Sequence, residues 1–120
     1  MLTLTADDGG IIPIERAVIG GILLEGTTRL PPLMPTEFFL GSHRLIWETI
    51  LTLEDEGHGV NVLTLRARLA STGASHDDVL AHCYEDGALS AFLPSYARMV
   101  REAARARGRR LLELRLDHAE

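Results

Sequence analysis

The stretch SHRLIWETILTLEDEG, residues 42–57, is the clearest structural signal in the chain. Its apolar residues recur at three- and four-residue spacing, which is the period of one face of an α-helix. Ser42 suits the N-cap of such a helix, and Gly57 suits its end. We therefore predict an α-helix over residues 42–57 with a broad apolar face. The acidic run at residues 54–56 indicates a solvated patch at the end of this helix.

The N-terminal quarter of the chain predicts a second helix. Pro13 suits the first helical turn because its missing N–H is not needed there. Apolar residues at helical spacing follow it, so we predict a helix over residues 13–25. A flexible arm, residues 1–12, precedes this helix, and a proline-rich connector with one short helical turn follows it at residues 26–36. The pair Gly20-Gly21 lowers helix propensity by about 1 kcal/mol per residue relative to alanine, and it predicts that another helix packs very close.

Three further helices are predicted in the second half of the chain. Asn61 caps a short helix that ends near Gly73. Cap residues at 75–78 open another helix, which ends by Gly87. The last helix, residues 94–117, is long and has an apolar stripe on one face.

No window of the sequence alternates polar and apolar residues with period two, so the prediction is an all-α fold. We expect a compact bundle of about five to six short helices over residues 13–93. A long amphipathic helix follows at residues 94–120 and could form one arm of a helical hairpin.

Length and composition agree with one compact domain. The chain has 120 residues, of which 46% are hydrophobic and 24% are charged, values typical of a globular protein. The longest stretch without a charged residue, residues 87–97, is too short to cross a bilayer. The N-terminus also lacks the basic region of a signal peptide. We expect a cytoplasmic protein without membrane contact.

Charge is distributed unevenly along the chain. All 12 basic residues are arginines, so a P-loop lysine and a Schiff-base lysine are both excluded. Residues 1–97 hold 5 arginines and 13 acidic residues, whereas residues 98–120 hold 7 arginines and 4 acidic residues. A polyanion or an acidic partner is therefore expected to meet the last segment.

Patterns typical of catalysis or metal binding are weak. The histidines are scattered, and the adjacent His82 and Cys83 would point about 100° apart on a helix, which does not suit one ion. Cys83 is expected to be a small core residue. The glycine pairs match neither a dinucleotide-binding fingerprint nor a P-loop. We predict no catalytic residue, no metal site and no cofactor.

The last helix carries two groups of candidate binding residues. The apolar group, predicted to mediate self-association or partner contact, comprises Val100, Ala103, Ala104, Leu111 and Leu114. The basic group, predicted to contact a polyanion or an acidic partner, comprises Arg98, Arg101, Arg105 and Arg109. Alternatively, the apolar stripe could fold back onto the helices at 13–25 and 42–57. The basic group could equally be a solvated face, a protein contact or a DNA contact.

Three groups of segments carry a further signal. In chain order they are ERAVIGGILL (15–24); EFF (37–39), HRLIWETILTL (43–53), EG (56–57) and VNVLTL (60–65); and YARMVRE (96–102). Together they resemble the N-terminal domain of DnaB-type replicative helicases. The last segment is similar to the start of the helical hairpin of that family. The likeness covers roughly residues 11–115.

The chain also departs from the family pattern. Residues 77–93 are compressed and keep neither the Gly-Gly-x-x-Tyr-Leu nor the Pro-x-x-x-Asn stretch of the family. The sequence ends at Glu120, about one arm into the hairpin, so the second arm, the linker and the RecA-like motor are expected to be missing. A chain without that motor would not hydrolyse nucleotide or unwind DNA.

The resemblance implies a module that packs into dimers and rings, shapes the collar of a hexameric helicase and contributes to primase binding. The expected partners are the chain itself and primase or helicase subunits, with weak or indirect DNA contact. The sequence leaves two alternatives open. One is a small helical DNA-binding regulator that uses its arginine-rich helix. The other is a stand-alone factor that interacts with a helicase.

Overall fold

A computed structural model describes the backbone of residues 2–26, 30–88 and 91–118, and the side chains of residues 10–26, 30–88 and 91–117. The helices are α1 (Leu2–Glu25), α2 (Gly41–Asp55), α3 (Val62–Ala70), α4 (Asp77–Glu85) and α5 (Leu93–His118), and a short 3-10 helix spans Pro35–Glu37. The described residues form no β-strand, and the prediction of an all-α fold is confirmed.

Helix α1 is the central element, because both α4 and α5 pack along it. Helix α2 packs on α3 and on the 3-10 helix. Fully buried Phe38 and Trp47 meet with their ring centroids 5.2 Å apart. The indole Nε1 of Trp47 donates a hydrogen bond of 2.9 Å to the carbonyl oxygen of Leu33, which holds the proline-rich connector against α2. The predicted short helical turn in that connector is present at Pro35–Glu37.

The predicted start of the first helix, at residue 13, is wrong. Residues 2–12, predicted as part of a flexible arm, continue α1, whereas Met1 lies outside the described residues. Pro13 therefore lies inside the helix, where it removes one backbone hydrogen bond. Helical continuation upstream of the proline brings Ile11 into the hydrophobic core, and burial of that side chain offsets the lost bond.

Of two predicted helix N-caps, one is wrong and one is confirmed. Leu40, and not Ser42, is the N-cap of α2, and it makes no side-chain cap bond. Asn61 caps α3 as predicted, because its Oδ1 accepts a 3.0 Å hydrogen bond from the backbone N–H of Thr64. The hydroxyl of Thr64 in turn accepts a 3.1 Å bond from the N–H of Asn61. This reciprocal cap satisfies two backbone donors at the start of the helix.

The prediction of a close contact at Gly20-Gly21 is confirmed. A Cβ atom on Gly20 would overlap the carbonyl oxygen of Cys83 and lie 2.7 Å from the Cα of Gly87. A Cβ on Gly21 would lie 2.8 Å from the carbonyl oxygen of Ala88. The backbones of α1 and α4 therefore approach so closely that any side chain at Gly20 would collide with main-chain atoms.

A buried polar pair joins α1 to α2. Glu15 and His43 are 0% and 1% exposed, and Glu15 Oε1 lies 2.7 Å from His43 Nδ1. The second carboxylate oxygen of Glu15 accepts a 2.5 Å hydrogen bond from the backbone N–H of Phe39. One carboxylate thus satisfies groups on two different segments, which fixes the start of α2 relative to α1.

We expect Gly20→Ala to destabilise the fold by about 3 kcal/mol or more, since the new methyl group meets backbone that cannot rotate away. Gly108→Ala is the matched control, because a Cβ at that helical position has nothing within 4 Å. The control should gain about 0.5–1 kcal/mol from better helix propensity. Urea unfolding measures both free energies. Equal effects of the two substitutions would contradict the packing described here.

Glu15→Ala should lower the free energy of unfolding by about 2–5 kcal/mol, because it leaves His43 and the N–H of Phe39 without their acceptor. The comparison is Arg66→Ala, which removes an exposed ion pair with Asp77. That variant should lose about 1 kcal/mol or less. Thermal and urea unfolding measure the loss of stability in each variant. Equal losses in the free energy of unfolding would contradict the structural role of Glu15.

Candidate interaction surface

The first half of α5 belongs to the core of this chain. Leu93, Ala97 and Val100 are buried where α5 packs on α1, and Ala103 is partly buried against the same core. Val100, predicted to mediate self-association, is therefore not accessible to a partner. For this half of the helix, folding back onto α1 is the arrangement found.

Glu37, in the short 3-10 helix, holds α5 in position through two arginines. Its Oε2 accepts a 3.1 Å hydrogen bond from Nε of Arg101, which also donates to the carbonyl oxygen of Pro32. The backbone carbonyl of Glu37 accepts a 2.9 Å bond from Arg107. Arg101, predicted to contact a polyanion, is thus engaged within its own chain.

Arg107 makes a further contact that the sequence did not indicate. Its guanidinium carbon lies 5.4 Å from the ring centroid of Phe39, a cation–π geometry. The predicted basic group does not include Arg107. Because Phe39 is remote in sequence, periodicity along α5 could not reveal this contact. Arg107 therefore joins α5 to the segment that contains Glu37 and Phe39.

Beyond Arg107 the helix exposes a group of leucines. We call residues 108–118 distal α5. Four leucine side chains there are exposed, namely Leu111 (58%), Leu112 (57%), Leu114 (56%) and Leu116 (61%). Leu111 and Leu114 belong to the predicted apolar group, whereas Leu112 and Leu116 were not predicted. Adjacent exposed leucines are typical of a surface that another molecule covers.

The remaining predicted residues lie near the boundary between the two halves. Ala104 is partly exposed, and Arg105 and Arg109 are exposed. Arg98 is exposed and donates a 3.3 Å hydrogen bond to the hydroxyl of Ser95. Spacings of seven and four residues place Arg98, Arg105 and Arg109 on one face of the helix. The structure thus brings three of the four predicted arginines into one exposed line.

Two features of the side chains that the structure describes concern catalysis and metal binding. Cys83 is fully buried, and burial raises the pKa of its thiol to about 12, so the reactive thiolate does not form near neutral pH. Among residues 10–26, 30–88 and 91–117, no three His, Cys, Asp or Glu side chains are grouped to hold a metal ion.

Across the described part of the chain, each helix is either too short or too polar to cross a bilayer.

The chain is similar to known proteins in family, sequence and structure. The sequence model of the family described as the DnaB-like helicase N-terminal domain matches residues 11–102. The replicative DNA helicase DnaB of Geobacillus stearothermophilus is 30% identical over 101 residues, which cover 76% of this chain and 22% of that protein. The replicative DNA helicase DnaC of Bacillus subtilis strain 168 is 36% identical over 64 residues, covering 51% of this chain and 14% of that protein.

A solved structure gives the same relationship in three dimensions. The N-terminal domain of DnaB helicase from Helicobacter pylori, described together with its interactions with primase, superposes with a TM-score of 0.78. The two chains share 17% identity, and the match covers 93% of each. The family match spans most of the chain, and the fold agrees over nearly all of it. The chain therefore belongs to the DnaB-like helicase N-terminal domain family.

Proposed function

We propose that this chain is a non-catalytic interaction module of DNA replication, which associates with copies of itself through distal α5 and takes part in binding a primase. The observation that carries the proposal is the exposure of four leucines in one short helical segment. The same segment lies C-terminal to Arg107, whose guanidinium donates a hydrogen bond to the backbone carbonyl of Glu37. It is therefore available for a partner without unfolding the domain.

Association through this segment should be weak. Burial of apolar surface is worth about 25 cal/mol per Å², so a few hundred Å² contribute about 5–10 kcal/mol before costs. The entropy lost on association is about 4–15 kcal/mol, which consumes most of that gain. We therefore expect the contact to form only when the chain is at micromolar or higher concentration.

The primase part of the proposal rests on fold and family. The H. pylori domain, with which this chain shares its fold, is described together with its interactions with primase. The curated relatives that match are replicative helicases, of which the chain spans 22% and 14%. Gel filtration with purified primase from the same source tests this part, and the expected result is a shared peak.

The non-catalytic part rests on the residues themselves. The sequence offers no lysine for a P-loop, and Cys83 is a buried thiol of raised pKa. We therefore expect neither hydrolysis of ATP nor a change in melting temperature with ATP and magnesium. Phosphate release and differential scanning fluorimetry measure these two quantities. A reproducible thermal shift with the nucleotide would contradict this assignment.

For self-association, we expect Leu111→Glu to raise the dissociation constant at least tenfold, because it places a charge where an apolar side chain is buried between molecules. Helical content should stay unchanged, since Leu111 is exposed in the single chain. Sedimentation at increasing concentration measures the association, and far-ultraviolet circular dichroism measures the helix.

Met99→Glu is the matched control, since Met99 lies on the same helix, is 44% exposed and precedes distal α5. This variant should associate like the unmodified chain. A chain that stays monomeric at several hundred micromolar would overturn the proposal. So would unfolding by Leu111→Glu, because that result would place Leu111 in the core.

A further inference from the structure

A cavity of about 440 Å³ lies where the end of α1, the proline-rich connector and the start of α5 meet. Its apolar walls include Ile22 from α1, Leu30, Pro31 and Leu33 from the connector, and Leu93 and Ala97 from α5. The volume lies within the range of small-molecule sites in proteins, about 300–1,000 Å³. The cavity is lined by the start of α5, so it is separate from the exposed leucines of distal α5.

The wall that the connector forms is fixed by hydrogen bonds. The indole of Trp47 donates a 2.9 Å bond to the carbonyl oxygen of Leu33, and Arg101 donates to the carbonyl oxygen of Pro32. The rings of Pro31 and Pro32 also restrict the backbone between these bonds. The cavity is therefore already formed in the folded chain, which lowers the entropy that a ligand must lose on binding.

Charged side chains from two helices line the same cavity. Among the described lining residues they are Glu25, Arg98 and Arg101, which carry one net positive charge. Arg101 is paired with Glu37, with 3.1 Å between Nε and Oε2, and Glu25 takes part in an interaction of its own. Arg98 is exposed and donates a 3.3 Å hydrogen bond to the uncharged hydroxyl of Ser95. Arg98 is therefore the lining group that can receive a charge on a ligand, and that charge is negative.

The walls and the guanidinium of Arg98 together define the chemistry of a ligand. A hydrocarbon tail would cover the apolar walls and remove them from water. A carboxylate suits the guanidinium, because its two oxygens match the parallel N–H donors of an arginine side chain. A molecule that combines the two is an amphiphile with a negatively charged head group.

We propose that this cavity binds a small amphiphilic carboxylate, with its tail against the apolar walls and its carboxylate at Arg98. Three segments of the chain enclose the cavity, and such concave sites suit a small molecule that is largely buried. Because the ligand contacts α1, the connector and α5 together, its binding should raise the melting temperature of the fold. The site does not depend on self-association.

Three probes with the same eight-carbon tail test the head group. Octanoate, 1-octanol and octylamine carry a negative charge, no charge and a positive charge, and isothermal titration calorimetry measures the dissociation constant of each. Octanoate should bind about fivefold more tightly than octanol because of its contact with Arg98, and octylamine should bind most weakly. Shortening the tail of the carboxylate should weaken binding about fourfold for each methylene removed.

Two charge-reversal variants test the role of Arg98. Arg98→Glu should weaken the binding of octanoate about tenfold and make octylamine the tightest of the three probes. Arg105→Glu is the matched control, because Arg105 is exposed on the same face of α5 but is not among the residues that line the cavity. The control changes the net charge by the same amount and should leave the three dissociation constants unchanged. Circular dichroism establishes that both variants are folded.

Nuclear Overhauser contacts between the tail of octanoate and the methyl groups of Ile22, Leu33 and Leu93 should locate the ligand in the cavity. Contacts with the leucines of distal α5 instead would overturn the proposal. Equal affinity for the three probes would also overturn it, and so would tighter binding of octylamine, which would place the head group at Glu25. A chain that binds none of the probes at millimolar concentration would overturn the site and leave the proposed function intact.

Discussion

The backbone contact at Gly20 and Gly21 is the constraint on which the rest of this fold depends. The missing side chain of Gly20 leaves room for the main chain of α4. The missing side chain of Gly21 leaves room for Ala88 and the start of α5. Two residues without side chains therefore set the distance of both helices from α1. Because α5 carries the exposed leucines, the same contact also places the surface that we propose for self-association.

Two glutamates hold α2 and α5 in place. Glu15 holds the start of α2 through His43 and Phe39, and Glu37 holds α5 through Arg101 and Arg107. Helix α5 is thereby divided into a half that stabilises the domain and a half that projects from it. This division reconciles the core role of Val100 with an interaction role for Leu111 in one continuous helix.

Local sequence patterns predicted those parts of the structure that depend on neighbouring residues. Helical spacing located α2 and α5, the Asn61 cap marked the start of α3, and the glycine pair indicated a close contact. The patterns failed where a distant residue decides the outcome. Burial of Ile11 extends α1 past Pro13, and Glu37 engages Arg101 from a remote segment. Spacing along one helix cannot distinguish a stripe that is covered by its own chain from one that is left for a partner.

Amide hydrogen exchange at low and high protein concentration tests the central claim most directly, since it reports on each segment of the chain separately. If distal α5 is an interaction surface, exchange in residues 108–118 should slow as the protein is concentrated, while exchange in the core of α1 stays constant. Exchange in distal α5 that does not change with concentration, up to several hundred micromolar, would contradict the account.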